Sequence, residues 1–146
     1  MKAATSKDNG IGEVRTKVRL TNIVDELLAE AGKLKPNKIR SCEADALVDT
    51  GAVRSVIPPH LLRRLGLRPT REQVVEYADG RKEAVGLVRG VGFEIMSRDT
   101  SDDALVLGDV VLIGQTVLEK LDLLMDLARR RLVPNPAHPD QPVSKL

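Results

Sequence analysis

Short strand-like segments recur along this chain from Glu13 to Val133, and helical patterning never outlasts a short helix. That alternation admits a small set of folds. Val14, Thr16, Val18 and Leu20 alternate with Arg15, Lys17 and Arg19, the period-2 pattern of a half-buried strand with a basic outer face. A second strand is expected from about Ile39 to Val48, and a short buried segment at Val56-Ile57. Val74, Val75 and Tyr77, then Ala78-Asp79-Gly80, then Ala84, Val85, Leu87 and Val88 read as a hairpin, because Asp-Gly tolerates the positive φ of a tight turn. Further strands are expected at Gly90–Met96, Ala104–Leu107 and Val110–Ile113, with final segments at Leu121–Leu127 and Arg131–Val133. Helices are short. Asn22 caps one that carries Ile23, Leu27, Leu28 and Ala31 on one side and stops at Gly32; Pro58-Pro59 opens a second, closed by Gly66; a third runs from about Gln115 to Lys120. The pattern indicates a mainly β fold, a small closed barrel, and excludes a doubly wound α/β sheet.

The 146 residues leave room for one domain, expected over 13–133, after a flexible polar arm at 1–12 and before a proline-rich tail at 134–146 that should be extended and mobile. Apolar residues make up 42% of the chain and only Tyr77 and Phe93 are aromatic, so the core must be aliphatic, with Phe93 inside it. Cys42 is alone, so no internal disulfide forms, and His60 and His138 are far apart in sequence; a Cys/His zinc cluster is excluded and no metal or cofactor is expected. The near absence of aromatics removes base-stacking surfaces, and 23 basic against 21 acidic residues is too mild a balance to indicate nucleic acid. No apolar run reaches the roughly 18–20 residues that span a bilayer, so no membrane partner is expected and the reading is a soluble, cytoplasmic protein.

Asp49 stands out against this background. It follows the apolar run Ala46-Leu47-Val48 and precedes Thr50-Gly51-Ala52, which draws a carboxylate toward the interior, where it must be hydrogen-bonded or protonated. Gly51 permits amides to approach the carboxylate, and the Thr50 hydroxyl can bond neighbouring chain. Taken alone, Asp-Thr-Gly favours an ordinary strand-to-turn corner.

The wider setting adds two ordered features. Ala46-Leu47-Val48-Asp49-Thr50-Gly51-Ala52, followed by Ser55-Val56-Ile57-Pro58 and Leu65-Gly66-Leu67, resembles the retropepsin-like aspartic peptidases, the family of retroviral proteases and their bacterial relatives. Val111-Leu112-Ile113-Gly114 resembles the family's second signature, and the hairpin at Tyr77-Ala78-Asp79-Gly80 lies where the family carries its substrate-covering flap. The resemblance implies a homodimeric aspartic endopeptidase acting on peptide or protein substrates without a cofactor. Each chain would supply one catalytic aspartate, here Asp49, supported by Thr50, Gly51, Ala52, Ile113 and Gly114, with Tyr77, Ala78, Asp79 and Gly80 meeting substrate. Asp79 is also followed by glycine, but it sits in a polar turn.

The chain departs from the retroviral pattern where many members carry acidic residues after Asp-Thr-Gly-Ala and an arginine after the second glycine. Val53, Arg54 and Gln115 stand there, so acid and base are lost together, and Arg54 suggests an acidic feature in the substrate. Tyr77 would either touch substrate or brace the hairpin, and packing is the more usual role of a strand aromatic. Cys42 reads as a buried inert thiol, His60 as a surface residue, and Arg129-Arg130-Arg131 as a solvated face. The rival reading is a catalytically silent, protease-like peptide- or protein-binding module. A third is an electrostatic binder acting through Arg15, Lys17 and Arg19.

Overall fold

The structure, a computed structural model, describes residues 13–146; the arm expected at 1–12 lies outside them. The chain runs β1 (Arg15–Thr21), α1 (Ile23–Glu30), a 3-10 turn (Pro36–Lys38), β2 (Ser41–Val48), β3 (Ser55–Ile57), α2 (Pro59–Arg64), β4 (Arg71–Glu76), β5 (Lys82–Ile95), β6 (Arg98–Val106), β7 (Val111–Ile113), α3 (Gln115–Leu121), β8 (Leu123–Asp126) and β9 (Arg131–Pro134). The main sheet is ordered β1-β2-β7-β3-β6-β5-β4, and β1 also pairs with β5 through Leu20 and Phe93. Six strands therefore close on themselves, and β4 hangs from β5 as the outer strand of a hairpin. Closure leaves no free edge among the six barrel strands; the outer side of β4 and the separate β8–β9 ribbon keep theirs. Inside sit Leu20, Ile57, Leu65, Phe93, Ile113, Val117 and Leu121, each at most 1% exposed. The core is aliphatic around one phenylalanine, as the composition requires.

Several elements differ from expectation. Ala84–Val88 and Gly90–Met96 are not two strands but parts of β5, whose pairing with β6 shifts between Val88 and Val91. Gly90 marks that bulge; it does not end the strand. The turn that does follow β5 uses Met96 and Ser97, both at positive φ (54° and 64°), without the Gly, Asn or Asp that signals such a turn in sequence.

Asn22 caps α1 as expected, accepting from the Asp25 amide at 3.0 Å, and donates from Nδ2 to the Leu65 carbonyl at 2.7 Å. The side carrying Leu27 and Leu28 nevertheless faces water, these residues being 56% and 39% exposed, whereas Asp25 is 5% exposed. The charge goes inward because Arg40 meets it with its backbone amide (3.0 Å), Nε (2.8 Å) and Nη2 (3.0 Å). These bonds hold the Asp25 carboxyl below its ordinary pKa.

The segment from Pro134 bonds to the rest of the chain at Asn135, His138 and Val143. The buried Arg98 side chain donates to the carbonyls of Leu121 and Asp122 at 3.0 Å and of His138 at 2.7 Å. Asp122, at φ 57° beyond the end of α3, accepts from Asn135 Nδ2 (3.0 Å) and the Val143 amide (3.1 Å) and contacts His138 Nδ1 (2.6 Å). The Asn135 bond first, then those of Val143 and His138, hold the Asp122 carboxyl below the usual range. A depressed folded-state pKa contributes stability above the ordinary carboxylate value, about 4, and loses it as pH falls through the folded value. Melting temperature is therefore expected to drop between pH 5 and 3 more steeply in the wild type than in Asp122→Asn. Parallel curves would remove Asp122 from the account.

Candidate active site

Strand β2 is flanked by β1 and, in parallel, by β7, with Ala46, Leu47 and Val48 opposite Val111, Leu112 and Ile113. The ladder extends one residue further, because the Asp49 amide donates to the Ile113 carbonyl at 2.9 Å. The chain then turns sharply, with the Ala52 amide donating to the Asp49 carbonyl at 3.1 Å and the Gly51 amide to Asp49 Oδ1 at 3.0 Å. One carboxylate oxygen is thus oriented by its own turn. The other, Oδ2, makes no hydrogen bond among the described residues, and Asp49 is partly exposed.

The floor of the turn comes from β7 and α3. Gln115 and Thr116 donate their amides to the carbonyls of Ala52 (2.8 Å) and Val53 (3.1 Å), and the Gly114 amide donates to the fully buried Ser55 Oγ at 2.9 Å. A Cβ on Gly114 would lie 2.6 Å from the Arg54 carbonyl carbon and oxygen and 2.9 Å from the Val53 oxygen, so only glycine fits between the loops. The Thr116 hydroxyl lies 2.5 Å from Asp102 Oδ2 and Lys120 Nζ donates to Asp102 Oδ1 at 3.2 Å, so one carboxylate contacts both the first and the last turn of α3. Arg54 lies 3.8 Å from Asp103, a partly exposed ion pair within the chain.

Strand alternation sorts the apolar residues around Asp49 into two sets. Ala46, Val48, Ile57, Val111 and Ile113 join the barrel core, while Leu47, Val56 and Leu112 form a second cluster with Leu105, Leu107 and Val110. Leu47, Val56 and Leu112 are not among the site residues expected from the sequence. The signal for this second cluster was present: consecutive apolar residues at Ala46-Leu47-Val48 and Val111-Leu112-Ile113 mean that both faces of these strands are covered.

Thr50, Gly51, Ala52, Ile113 and Gly114 all gather around Asp49. Thr50 is exposed, and its hydroxyl makes no hydrogen bond among the described residues. Tyr77, Ala78, Asp79 and Gly80 form the β4–β5 tip, a separate unit whose bonds run within the hairpin. The Gly80 amide donates to the Tyr77 carbonyl and the Tyr77 amide to the Arg81 carbonyl, both at 2.8 Å, with Gly80 at φ 87°. Tyr77 braces the tip: its hydroxyl donates to Glu83 at 2.5 Å, which raises the phenol's pKa, and the Arg81 guanidinium lies 4.2 Å from its ring centre. The Arg81 amide bonds Asp79 at 2.9 Å and lowers that carboxyl's pKa. Cys42 is buried and its thiol is pushed up by burial. Among the described residues no group of three or more His, Cys, Asp or Glu side chains could hold a metal ion, and no helix is long and apolar enough to cross a membrane.

Residues 36–118, more than half of the chain, match the family model described as aspartyl protease. No curated protein matches. Among solved structures, a foamy viral protease-reverse transcriptase in complex with an RNA/DNA hybrid aligns with a TM-score of 0.48 and 16% identity over 73% of this chain; the chain spans 12% of that one.

Proposed function

We propose, from the premise that this chain belongs to the aspartyl protease family, that it is a homodimeric aspartic endopeptidase whose catalytic pair is Asp49 from each of two chains. The observation that supports this most directly is the state of Asp49: one oxygen is oriented by the Gly51 amide, the other is unbonded, and the chain has a single Asp-Thr-Gly. That is half of a two-carboxylate site.

Two carboxylates brought together cannot both ionise easily, so the pair shares one proton at working pH, the established behaviour of such aspartates. The ionised member takes a proton from a bound water, which attacks the peptide carbonyl. The protonated member donates a hydrogen bond to the developing oxyanion and then helps protonate the leaving nitrogen. The Ala52, Val53 and Gly114 bonds keep the carboxylate from turning away during these transfers. Substrate would lie beneath the β4–β5 tip and along Leu47, Val56 and Leu112, which favours apolar side chains beside the scissile bond.

The test is a peptide library assayed across a dilution series, with sedimentation on the same samples. Cleavage is expected at bonds flanked by apolar residues, and activity per chain should fall on dilution as dimers dissociate. Activity per chain that stays constant in a strictly monomeric sample would overturn the shared dyad. Tight peptide binding without cleavage at any pH would favour the silent binding module.

A further inference from the structure

A cleft of about 310 Å³ lies between α2, the loop that follows it, and strands β5 and β6, and none of its lining residues belongs to the Asp49 turn or the hairpin tip. Its apolar surface is Leu67, Pro69 and Val106, with the buried Leu62 behind them. The local sequence builds it directly. Leu61 and Leu62 point into the core, Gly66 at φ 73° reverses the chain, and the Leu67 amide returns to the Leu62 carbonyl at 3.1 Å. The Thr70 amide then docks on the Leu87 carbonyl at 3.1 Å and leads into β4. Opposite, Gly86 has no side chain; a Cβ there would sit 2.8 Å from that of Pro69, so the ring rests on the β5 backbone. Pro59 and Pro69, both in the lining, restrict φ and leave the cleft largely preformed.

Arg63 and Arg68 stand exposed at its rim, and neither pairs with a carboxylate among the described residues; no lining residue is acidic. Some cations elsewhere have acidic partners, Lys17 with Asp45, Arg19 with Glu94, Arg40 with Asp25, Arg54 with Asp103 and Lys120 with Asp102, and others, such as Arg64, Arg71 and Arg89, have none among the described residues; what sets Arg63 and Arg68 apart is their place together at the rim of an apolar cleft. Two unmatched guanidinium groups beside an apolar floor call for a ligand with the opposite charge and an apolar part. The volume is at the lower end for ligand sites, enough for one large side chain and too small for most cofactors.

We infer that this cleft docks an extended peptide segment of a protein partner, seating an apolar side chain on Leu67, Pro69 and Val106 while flanking carboxylates meet Arg63 and Arg68. Docking here is separate from the Asp49 chemistry and needs no turnover.

The experiment uses the Asp49→Asn protein, so that no probe is consumed, and a fluorescein-labelled peptide with one leucine between two acidic residues on each side. Fluorescence anisotropy should show saturable binding that weakens with salt and with leucine replaced by serine in the peptide. Arg63→Glu together with Arg68→Glu should weaken it by about tenfold or more. The milder pair Arg63→Gln and Arg68→Gln should fall in between, and circular dichroism should match the parent for both, since these side chains are exposed. No saturable binding, unchanged affinity in the glutamate pair, or displacement of the peptide by a hydroxyl-bearing mimic of the tetrahedral intermediate would each overturn the assignment.

Discussion

Replacing Asp49 with asparagine is expected to abolish peptide cleavage while leaving the fold and the proposed dimer in place. Asparagine keeps the shape of the side chain and still offers an oxygen to the Gly51 amide, which lies 3.0 Å from Oδ1. The turn and its bonds to Ile113 and Ala52 therefore persist. What is lost is the shared proton: a pair of amides can neither take a proton from water nor return one to the leaving nitrogen. General acid and base contributions of about 10²–10⁴ each disappear together, because both copies change at once, so cleavage should drop by at least about 10³-fold. The measurement is kcat on the best library peptide, with melting temperature and sedimentation recorded alongside. Full activity in this variant would remove Asp49 from the chemistry. A mixture of variant and wild-type chains gives a further check, since a single Asp49 in a mixed dimer should remain inactive.

The second large effect is expected at Gly114, and it is structural before it is catalytic. Its φ of −92° suits any residue, so the constraint is space alone. The Cβ of alanine would sit 2.6 Å from the carbonyl of Arg54 and 2.9 Å from that of Val53. Both are main-chain atoms that cannot rotate aside, and Val53 is itself held by the amide of Thr116. Either β7 separates from the catalytic loop, breaking the Gly114 to Ser55 bond, or the loop shifts and carries Asp49 with it. Gly114→Ala should therefore lose about 2–4 kcal/mol of stability and most of its activity. Gly80→Ala is the instructive contrast: no atom lies within 4 Å of the added carbon, and the cost there comes from φ 87° alone. Urea unfolding of the two variants separates the mechanisms. Wild-type stability and activity in Gly114→Ala would show that the two loops are not locked together as described.

Much of the fold is legible in the residues. The alternation at Val14–Leu20, the Asn22 cap, the Pro58-Pro59 helix start and the Asp79-Gly80 turn each rest on a local preference of a few adjacent residues, and each appears where expected. The β5–β6 turn was not legible, because Met96 and Ser97 adopt positive φ under the pull of two long paired strands against their own preference. The outward side of α1 was not legible either. Leu27 and Leu28 have the spacing of a buried stripe, yet the pairing of Asp25 with Arg40, fifteen positions away, turns the other face inward. The bonds from Arg98 and Asp122 to the tail at Asn135, His138 and Val143 join partners that no local pattern connects.

The residues by themselves determined an aliphatic, mainly β chain with a single Asp-Thr-Gly and a Leu112-Ile113-Gly114 run, because these depend on composition and on neighbours along the chain. The tertiary structure decided which oxygen of Asp49 is held and which is open, that Arg54 is engaged by Asp103, and that Leu47, Val56 and Leu112 form one apolar cluster beside the aspartate. It also decided that Arg63 and Arg68 flank a cleft without a counter-charge. The reason is physical: hydrogen bonds, ion pairs and apolar contacts act over a few ångströms, and strands β2, β3, β6 and β7, scattered along the sequence, come within that range only when the barrel closes.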